Sequence, residues 1–556
     1  MSPAKRFFSL LKMDRKDIYQ IFFYAIFAGL VSLSLPLGVQ AIINFIQSGR
    51  VSVSWIVLVI FVVLGVALVG FLAFMQLRIT ENLQQKIFVR SSFEFAYKLP
   101  KIKFDDLYQN VYPPELTNRF FDTITIQKGS SKILLDFSAA LLQIGFGIIL
   151  LSLYHPFFIL FGLLLVGLLY FIFKYSYNPG VETSLKESKY KYQVADWLQE
   201  IARNRTSFRN ETNFAYAMTK NDAIVTNYLK FREKHFAIIK RQFGQLVVFK
   251  IIITAGLLLL GGYLVISQQM NIGQFVASEI IILLVINSVE KIILGLDTFY
   301  DVLTSLEKIG QVVDMEYEQE DEHPVKSCYT SINLELDNIS VRFPDSMGNL
   351  LKAISLHISS GEKIILSGKN GSGKSTLIRV LAGILTPTTG AFFVNDDTFR
   401  KINLPQYRSQ VAAITAGETP FEGTLIENIT FNDPAIREED IKWALEATKL
   451  TSFFRTLPNG LDTDILPEGK QLSSSNAQKI LLARSFVRKP KVLFYEDPTD
   501  KMDDDTAKEI IDFICLPEHK WTVVVTSKNP YWHEKATRMI VMEKGRIIND
   551  QKINHA

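Results

Sequence analysis

The sequence is poor in the residues that build disulfide or metal frameworks. It has two cysteines, Cys328 and Cys515, and seven histidines in 556 residues. Two cysteines exclude a disulfide-stapled scaffold or a cysteine metal centre, and both are expected to be reduced and buried in a cytosolic domain. Excess charge is also scarce. Sixty basic residues against 56 acidic ones leave +4, too little for the electrostatic footprint of a nucleic-acid binder. A cleavable signal peptide is not expected, because the first apolar run is too long and has no small-residue cleavage site. From Trp55 to Met75 there is no charged residue at all.

What the chain has in abundance is apolar surface. Hydrophobic residues make up 48%, mean hydropathy is positive at +0.17, and phenylalanine occurs 41 times. That composition points to a membrane. Six apolar runs are long enough to span a bilayer, at roughly 18–46, 54–77, 133–153, 157–173, 246–267 and 272–296. Residues 1–17, with Lys5, Arg6, Lys12, Arg15 and Lys16, read as a basic amphipathic lead-in along the inner membrane surface. The short links near Arg50, His155-Pro156 and Ser267–Asn271 carry almost no charge, whereas segments 78–132 and 174–243 are rich in Lys and Arg. Positive residues stay inside, so both long segments and both termini are expected in the cytoplasm of a multi-pass protein of the cell's inner membrane.

The long segments are amphipathic at helical spacing, as in 182–203 and 224–243, so the membrane helices are expected to run on into the cytoplasm. Breaks near Tyr112-Pro113-Pro114 and Asn204-Arg205-Thr206 mark the expected tips, the first because proline ends a helix sterically. Glu279 lies in an apolar stretch and is a candidate for a face turned to a water-filled path; a structural carboxyl near the interface is the competing reading. Lys250 reads as a snorkelling residue. The organisation expected is a transmembrane domain over 1–312, an acidic linker over 313–330 and a soluble domain over 331–556.

The soluble part is organised around Gly368 to Thr376, GKNGSGKST, which fits G-x-x-x-x-G-K-[ST]. An apolar strand pattern precedes it and a helical pattern follows. Gly368, Asn370, Gly371, Ser372 and Gly373 form the turn that lets backbone N–H groups converge on phosphate oxygens. Lys374 would reach the β- and γ-phosphates, Ser375 would ligate Mg²⁺, and Thr376 continues the motif. Lys491 to Tyr495 is an apolar strand pattern that ends in Glu496-Asp497. In a phosphate-loop protein such a strand end holds a Mg²⁺ ligand and a water-positioning base. A parallel α/β sheet with an inserted helical part around 430–475 is expected.

On these motifs the chain resembles the ABC transporters. After the phosphate loop come GTLIENI (Gly423 to Ile429), LSSSN (Leu472 to Asn476) and YEDPTDKMD (Tyr495 to Asp503), in the family's order and after six spans. The resemblance covers nearly the whole chain. It implies an exporter-type half-transporter, with a six-helix transmembrane domain followed by an α/β nucleotide-binding domain. It further implies ATP and Mg²⁺ as cofactors, and a dimer with a second copy or another half-transporter in the lipid bilayer. By resemblance Phe343 stacks on adenine, Ser473 contacts the nucleotide bound by the partner, Asp503 lies in a dimer-contact loop, and Gly469 lies in the loop that senses the membrane helices. The peptidase domain that some peptide exporters carry ahead of the first span is not expected.

Four positions depart from the family pattern. The signature LSGGQ reads Leu472-Ser473-Ser474-Ser475-Asn476, and the coupling glutamine is Ala416. The acidic pair usually read Asp-Glu is Glu496-Asp497, and the switch histidine is Ser527. Glu496 would hold Mg²⁺ on a longer arm and Asp497 would position water on a shorter one. The expected function is ATP-driven export of a substrate with slow hydrolysis; the alternative is an ATP-binding pseudo-transporter or regulatory subunit that does not turn over.

Overall fold

A computed structural model describes residues 2–47, 53–103, 113–318, 329–343 and 348–553. The chain divides into two compact units, one formed by Met1–Lys101 with Tyr112–Met315 and the other by Ile102–Val111 with Glu316–Ala556. Cys328, Gly49 and most of the 313–330 linker lie outside the described residues, as does Tyr112 at the first expected tip.

The first unit is all helical among the described residues. Its rods are Arg15–Ser32 continued by Ser34–Gln47, then Val53–Lys98, Asp122–Tyr154, Phe157–Arg203, Glu211–Ile266 and Ile272–Val313. Among the described residues, five stretches can cross a membrane by length and composition: Arg15–Gln47, Val53–Lys101, Glu115–Tyr154, Phe157–Arg203 and Glu211–Ile266. The helix that carries the sixth expected run, Ile272–Val313, is not among them. It is the buried centre of the unit, lying along Asp122–Tyr154, and it holds Glu279, Asn287, Glu290 and Lys291 within that run. Two glycines set the closeness of this pair. A Cβ at Gly129 would lie 2.3 Å from Val302 Cγ2, and one at Gly295 would lie 2.4 Å from Phe137 Cε1. Small residues let helix backbones approach where lipid gives no hydrophobic drive.

The long helices bear out the expected extensions. Segments 182–203 and 224–243 are the continuations of Phe157–Arg203 and Glu211–Ile266. The break between them is at Asn204, whose φ of −102° closes the first helix, while Asn210 caps the second by accepting from the Thr212 N–H at 3.0 Å. One reading changes. Lys250 does not simply snorkel; its ammonium is 2.6 Å from Glu290 on the central helix, because an ionic partner is available at that level. The N-terminal helix Pro3–Met13 docks on its own unit, with Phe7 buried and Arg6 donating two hydrogen bonds to Asp314, at 3.0 and 2.7 Å.

The second unit has an antiparallel sheet and a larger, mostly parallel one. The strands are β1 (Leu334–Val341), β2 (Leu351–Ile358), β3 (Lys363–Ser367), β4 (Thr389–Val394), β5 (Asp397–Thr398), β6 (Val411–Ile414), β7 (Gly423–Thr424), β8 (Asp464–Ile465), β9 (Val492–Glu496), β10 (Thr522–Thr526), β11 (Arg538–Glu543) and β12 (Arg546–Lys552). The antiparallel sheet runs β2-β1-β4-β5 and the larger one β12-β11-β3-β10-β9-β6. Strands β9 and β10 are buried at every residue, which is why VLFYE and TVVVT are apolar runs without alternation: both faces of a parallel sheet are covered. Between β6 and β9 the chain is mainly helical, with Leu425–Thr430, Glu438–Ala447, Thr451–Thr456 and Ser474–Phe486.

Candidate nucleotide site

The carboxyl ends of β3, β9 and β10 meet at one edge of the parallel sheet, which is where ligands bind in such sheets. Strand β3 leads into the glycine turn, and the helix Lys374–Leu381 starts directly after it. Gly368, Gly371 and Gly373 have φ of +144°, +79° and +102°, a region open chiefly to glycine. At Gly368 a side chain is also excluded by space, since a Cβ would lie 2.2 Å from the Met542 carbonyl oxygen. The turn is held from behind, where the Gly545 N–H donates to the Ser372 carbonyl at 3.0 Å. Lys374 folds over the turn, its ammonium donating to the carbonyls of Gly368 at 2.7 Å and Lys369 at 3.1 Å.

The other wall comes from register. In the parallel pair β9–β10, Glu496 stands opposite Thr526, so Asp497 and Ser527 leave the sheet side by side. The Asp497 N–H donates to the Thr526 carbonyl at 2.7 Å, and the Asp497 carbonyl accepts from the Gln478 side-chain amide. Asp497 has φ of +47°, tolerated because a short polar side chain can enter the left-handed region. Its carboxyl is pushed up to about 6, first by partial removal from water, then by the neighbouring Asp500.

Glu496 is 5% exposed. Its Oε2 accepts from the Ala416 N–H at 3.1 Å, while Oε1 is buried with no partner among the described residues. A buried carboxylate oxygen left unpaired is costly unless a cation takes it up. Ser375, at the start of the helix, and Glu496 line the same cavity of about 380 Å³. One hydroxyl, one carboxylate and no imidazole or thiolate form the hard oxygen set that suits Mg²⁺, so the residues present fit that ion.

Of the expected site residues, this cavity brings together Gly368, Asn370, Gly371, Ser372, Gly373, Lys374, Ser375, Thr376, Glu496, Asp497 and Ser527. Phe343 and Ser473 are not among its lining. Phe343 packs, half-buried, against the core between the sheets. Ser473 caps the helix Ser474–Phe486, its hydroxyl accepting from the Asn476 N–H at 3.2 Å. Asp503 is likewise a helix cap, accepting from the Thr506 N–H at 2.9 Å. Ala416 and Asp497 also line a second cavity of about 350 Å³, shared with Gly469, Gln478 and Lys501.

The sequence reading missed Asp500. Ser527 donates to Asp500 Oδ1 at 2.6 Å, and the Lys528 N–H donates to Oδ2 at 3.3 Å. An acid two residues beyond Pro498 was visible in the chain; its pairing with residue 527 depends on the β9–β10 register. Gln478, Thr526 and Lys528 gave no motif signal.

Comparison with known families matches residues 18–289 to the ABC transporter transmembrane region and residues 351–500 to the ABC transporter family. The chain is 28% identical over 309 residues to the ATP-dependent permease MDL1 of Candida albicans, covering 54% of this chain and 44% of that one. It is 28% identical over 323 residues to the alpha-hemolysin translocation ATP-binding protein HlyB of Escherichia coli O157:H7, covering 58% and 45%. The matches thus span less than half the length of these relatives. In fold it is similar to a bacterial Atm1-family ABC exporter solved with ATP bound, with a TM-score of 0.80, 16% identity, and 97% and 95% of the two chains covered.

Proposed function

The chain belongs to the ABC transporters, as an exporter-type half-transporter, and from that premise we propose that it drives export across the inner membrane by binding Mg·ATP and hydrolysing it slowly. The observation that carries the reading is the contrast within one cavity, where the binding groups are in place and the hydrolytic ones are diverted. Lys374, the turn glycines and the helix start offer charge and N–H donors to the phosphates. Ser375 and Glu496 Oε1 would hold Mg²⁺, which supplies charge neutralisation between the phosphates.

Asp497 is the group left to orient water, and its arm is one carbon–carbon bond shorter than glutamate. A misplacement of about 1 Å in a catalytic group can cost on the order of a hundredfold in rate. Ser527 cannot bridge to a γ-phosphate as an imidazole does, and its hydroxyl is committed to Asp500. Ala416 offers only its backbone N–H, already given to Glu496. Ser474 and Ser475 add side chains where the family's glycines allow backbone approach to the nucleotide of the partner.

A dimer follows from this reading, because Ser473 is not among the lining of its own chain's cavity and would serve the site of the other half. Phe343, half-buried against the core, would present its ring to adenine. Both termini are cytoplasmic in this topology, with the residues near His155 and Met270 outside. The second reading, a scaffold or regulatory subunit that binds ATP without turnover, is favoured by the Ser527–Asp500 contact alone. Vanadate-sensitive ATPase of the purified chain in lipid, alone and with a neighbouring half-transporter, separates the two. Slow turnover lost in Lys374→Ala supports the exporter, and no turnover in either preparation supports the scaffold.

A further inference from the structure

Two long helices of the first unit flank a further cavity, unrelated to the nucleotide site. It has a volume of about 550 Å³ and lies between Val53–Lys98 and Asp122–Tyr154. That size is in the range of small-molecule sites. Its position along both helices is fixed by sequence. Arg78 is the first charge after the uncharged stretch Trp55 to Met75, and Lys128 and Lys132 are the last cations before the apolar run at 133–153. The two helices run in opposite senses through the boundary, yet both place cations on its polar side.

The apolar lining lies on the other side. Phe74 and Leu77 precede Arg78, and Leu135 follows Lys132, so each is displaced toward the hydrocarbon end of its own helix. The cations and the apolar side chains are thus ordered in the direction in which a lipid is graded from headgroup to acyl chain, with Asp136, one residue beyond Leu135, as the exception. Among the described residues, Arg78, Lys128 and Lys132 form no ion pair. Two carboxylates, Glu81 and Asp136, also line it, and Glu81 accepts from its helix neighbour Gln85 at 3.0 Å.

The back wall adds an independent sign of a ligand. Ser131 is 2% exposed, and its hydroxyl has no partner among the described residues. Buried helical serines ordinarily donate to the carbonyl one turn back, as Ser138 does to Leu134. Ser131, like the buried Ser130 and Ser188, makes no such bond, and of these three it is Ser131 that lines the cleft, where an unmade hydrogen bond is unfavourable.

We propose that this cleft binds one anionic phospholipid of the leaflet that the Lys/Arg-rich helix ends mark as cytoplasmic, with the phosphate among Arg78, Lys128, Lys132 and Ser131 and the glycerol end toward Phe74, Leu77 and Leu135. The test is native mass spectrometry of the full chain in detergent with equal amounts of a phosphatidylglycerol and a phosphatidylcholine. The parent should retain the phosphatidylglycerol in preference. The triple variant Arg78→Gln, Lys128→Gln, Lys132→Gln should lose that preference by at least about tenfold. Glu81→Gln, which removes a repelling charge, should raise it, an outcome that misfolding cannot produce. Inorganic phosphate at millimolar concentration should leave lipid retention unchanged. An unchanged preference in the triple variant, a fall in Glu81→Gln, or displacement of the lipid by inorganic phosphate would each overturn the assignment.

Discussion

Replacing Gly368 by alanine tests the phosphate turn at the position where geometry is least forgiving. Its φ of +144° lies in a region that an L side chain rarely enters, worth about 1–3 kcal/mol of strain. The added Cβ would also sit 2.2 Å from the Met542 carbonyl oxygen, which is backbone of β11 and cannot rotate away. Overpacking of that kind adds about 1–3 kcal/mol. Gly371→Ala is the internal control. There φ is +79°, so strain is expected, but no atom lies within 4 Å of the new Cβ. The difference between the two variants reads the contacts at Gly368, chiefly that with Met542, since the other close atom, Ser372 Oγ at 2.9 Å, belongs to a side chain that can rotate. If the turn shifts to relieve it, the Gly368 carbonyl and the Lys374 ammonium that it anchors move too, and ATP affinity should fall at least about tenfold, since about 1.4 kcal/mol is a factor of ten. Binding of a fluorescent ATP analogue and thermal unfolding of the full chain, measured side by side, read both effects. Equal losses in the two variants, or parental affinity in Gly368→Ala, would refute the reasoning.

Three further outcomes follow. Asp503→Ala removes a helix cap and should cost about 1 kcal/mol, seen as a lower thermal midpoint, with nucleotide affinity unchanged. Asp440 is held down to about 2 by Lys489 and then by Arg437, so its stabilising contribution is present above the ordinary carboxylate range and disappears as pH falls from about 4 toward 2; Asp440→Asn should flatten the midpoint-against-pH curve in that window and leave its slope at pH 6–8 unchanged. Lys250→Ala leaves Glu290 without its partner and should lower the thermal midpoint in detergent, whereas Lys250→Gln with Glu290→Gln should recover most of the loss; a double variant no better than the single would show that the pair does not couple.

The geometry of the candidate site was legible in the sequence wherever a residue acts through its own position in a short motif. Gly368 to Thr376 is a local turn, and the structure places it as the spacing requires. The Glu496-Asp497 pair was legible as a strand end. The membrane helices were legible from composition, including their long extensions, because amphipathic spacing continues past the apolar runs. Groups that depend on register were not legible. The Ser527–Asp500 hydrogen bond exists because β9 and β10 pair with Glu496 opposite Thr526, a relation that no local pattern contains. The Lys250–Glu290 pair joins residues 40 apart on different helices, so a lone lysine in an apolar run reads as snorkelling until its neighbour is placed. Residues 272–296 read as an apolar run, and their helix is the buried centre of its unit, a position that the run alone does not indicate. Phe343 shows the opposite limit. An aromatic at a strand end serves a core or an adenine equally well on sequence, and here the side chain rests against the core.

The central claim is that ATP binding is intact while hydrolysis is slowed by the exchanged carboxylates, the switch serine, Ala416 and the altered signature. In the proposed dimer these groups would converge on one γ-phosphate, so their effects need not add. The most direct measurement is the ATPase rate of the purified chain in lipid, compared with a family member that keeps the glutamate, histidine, glutamine and LSGGQ, with ATP binding measured on the same preparations. The account predicts micromolar-to-millimolar affinity that is lost in Lys374→Ala, and turnover at least roughly tenfold below the comparator. It further predicts that Glu496→Asp, Asp497→Glu and Ser527→His together restore the rate only when the signature is repaired as well. Brisk turnover by the unmodified chain, abolished by Lys374→Ala, would show that Glu496 and Asp497 work in exchanged order and would contradict the account.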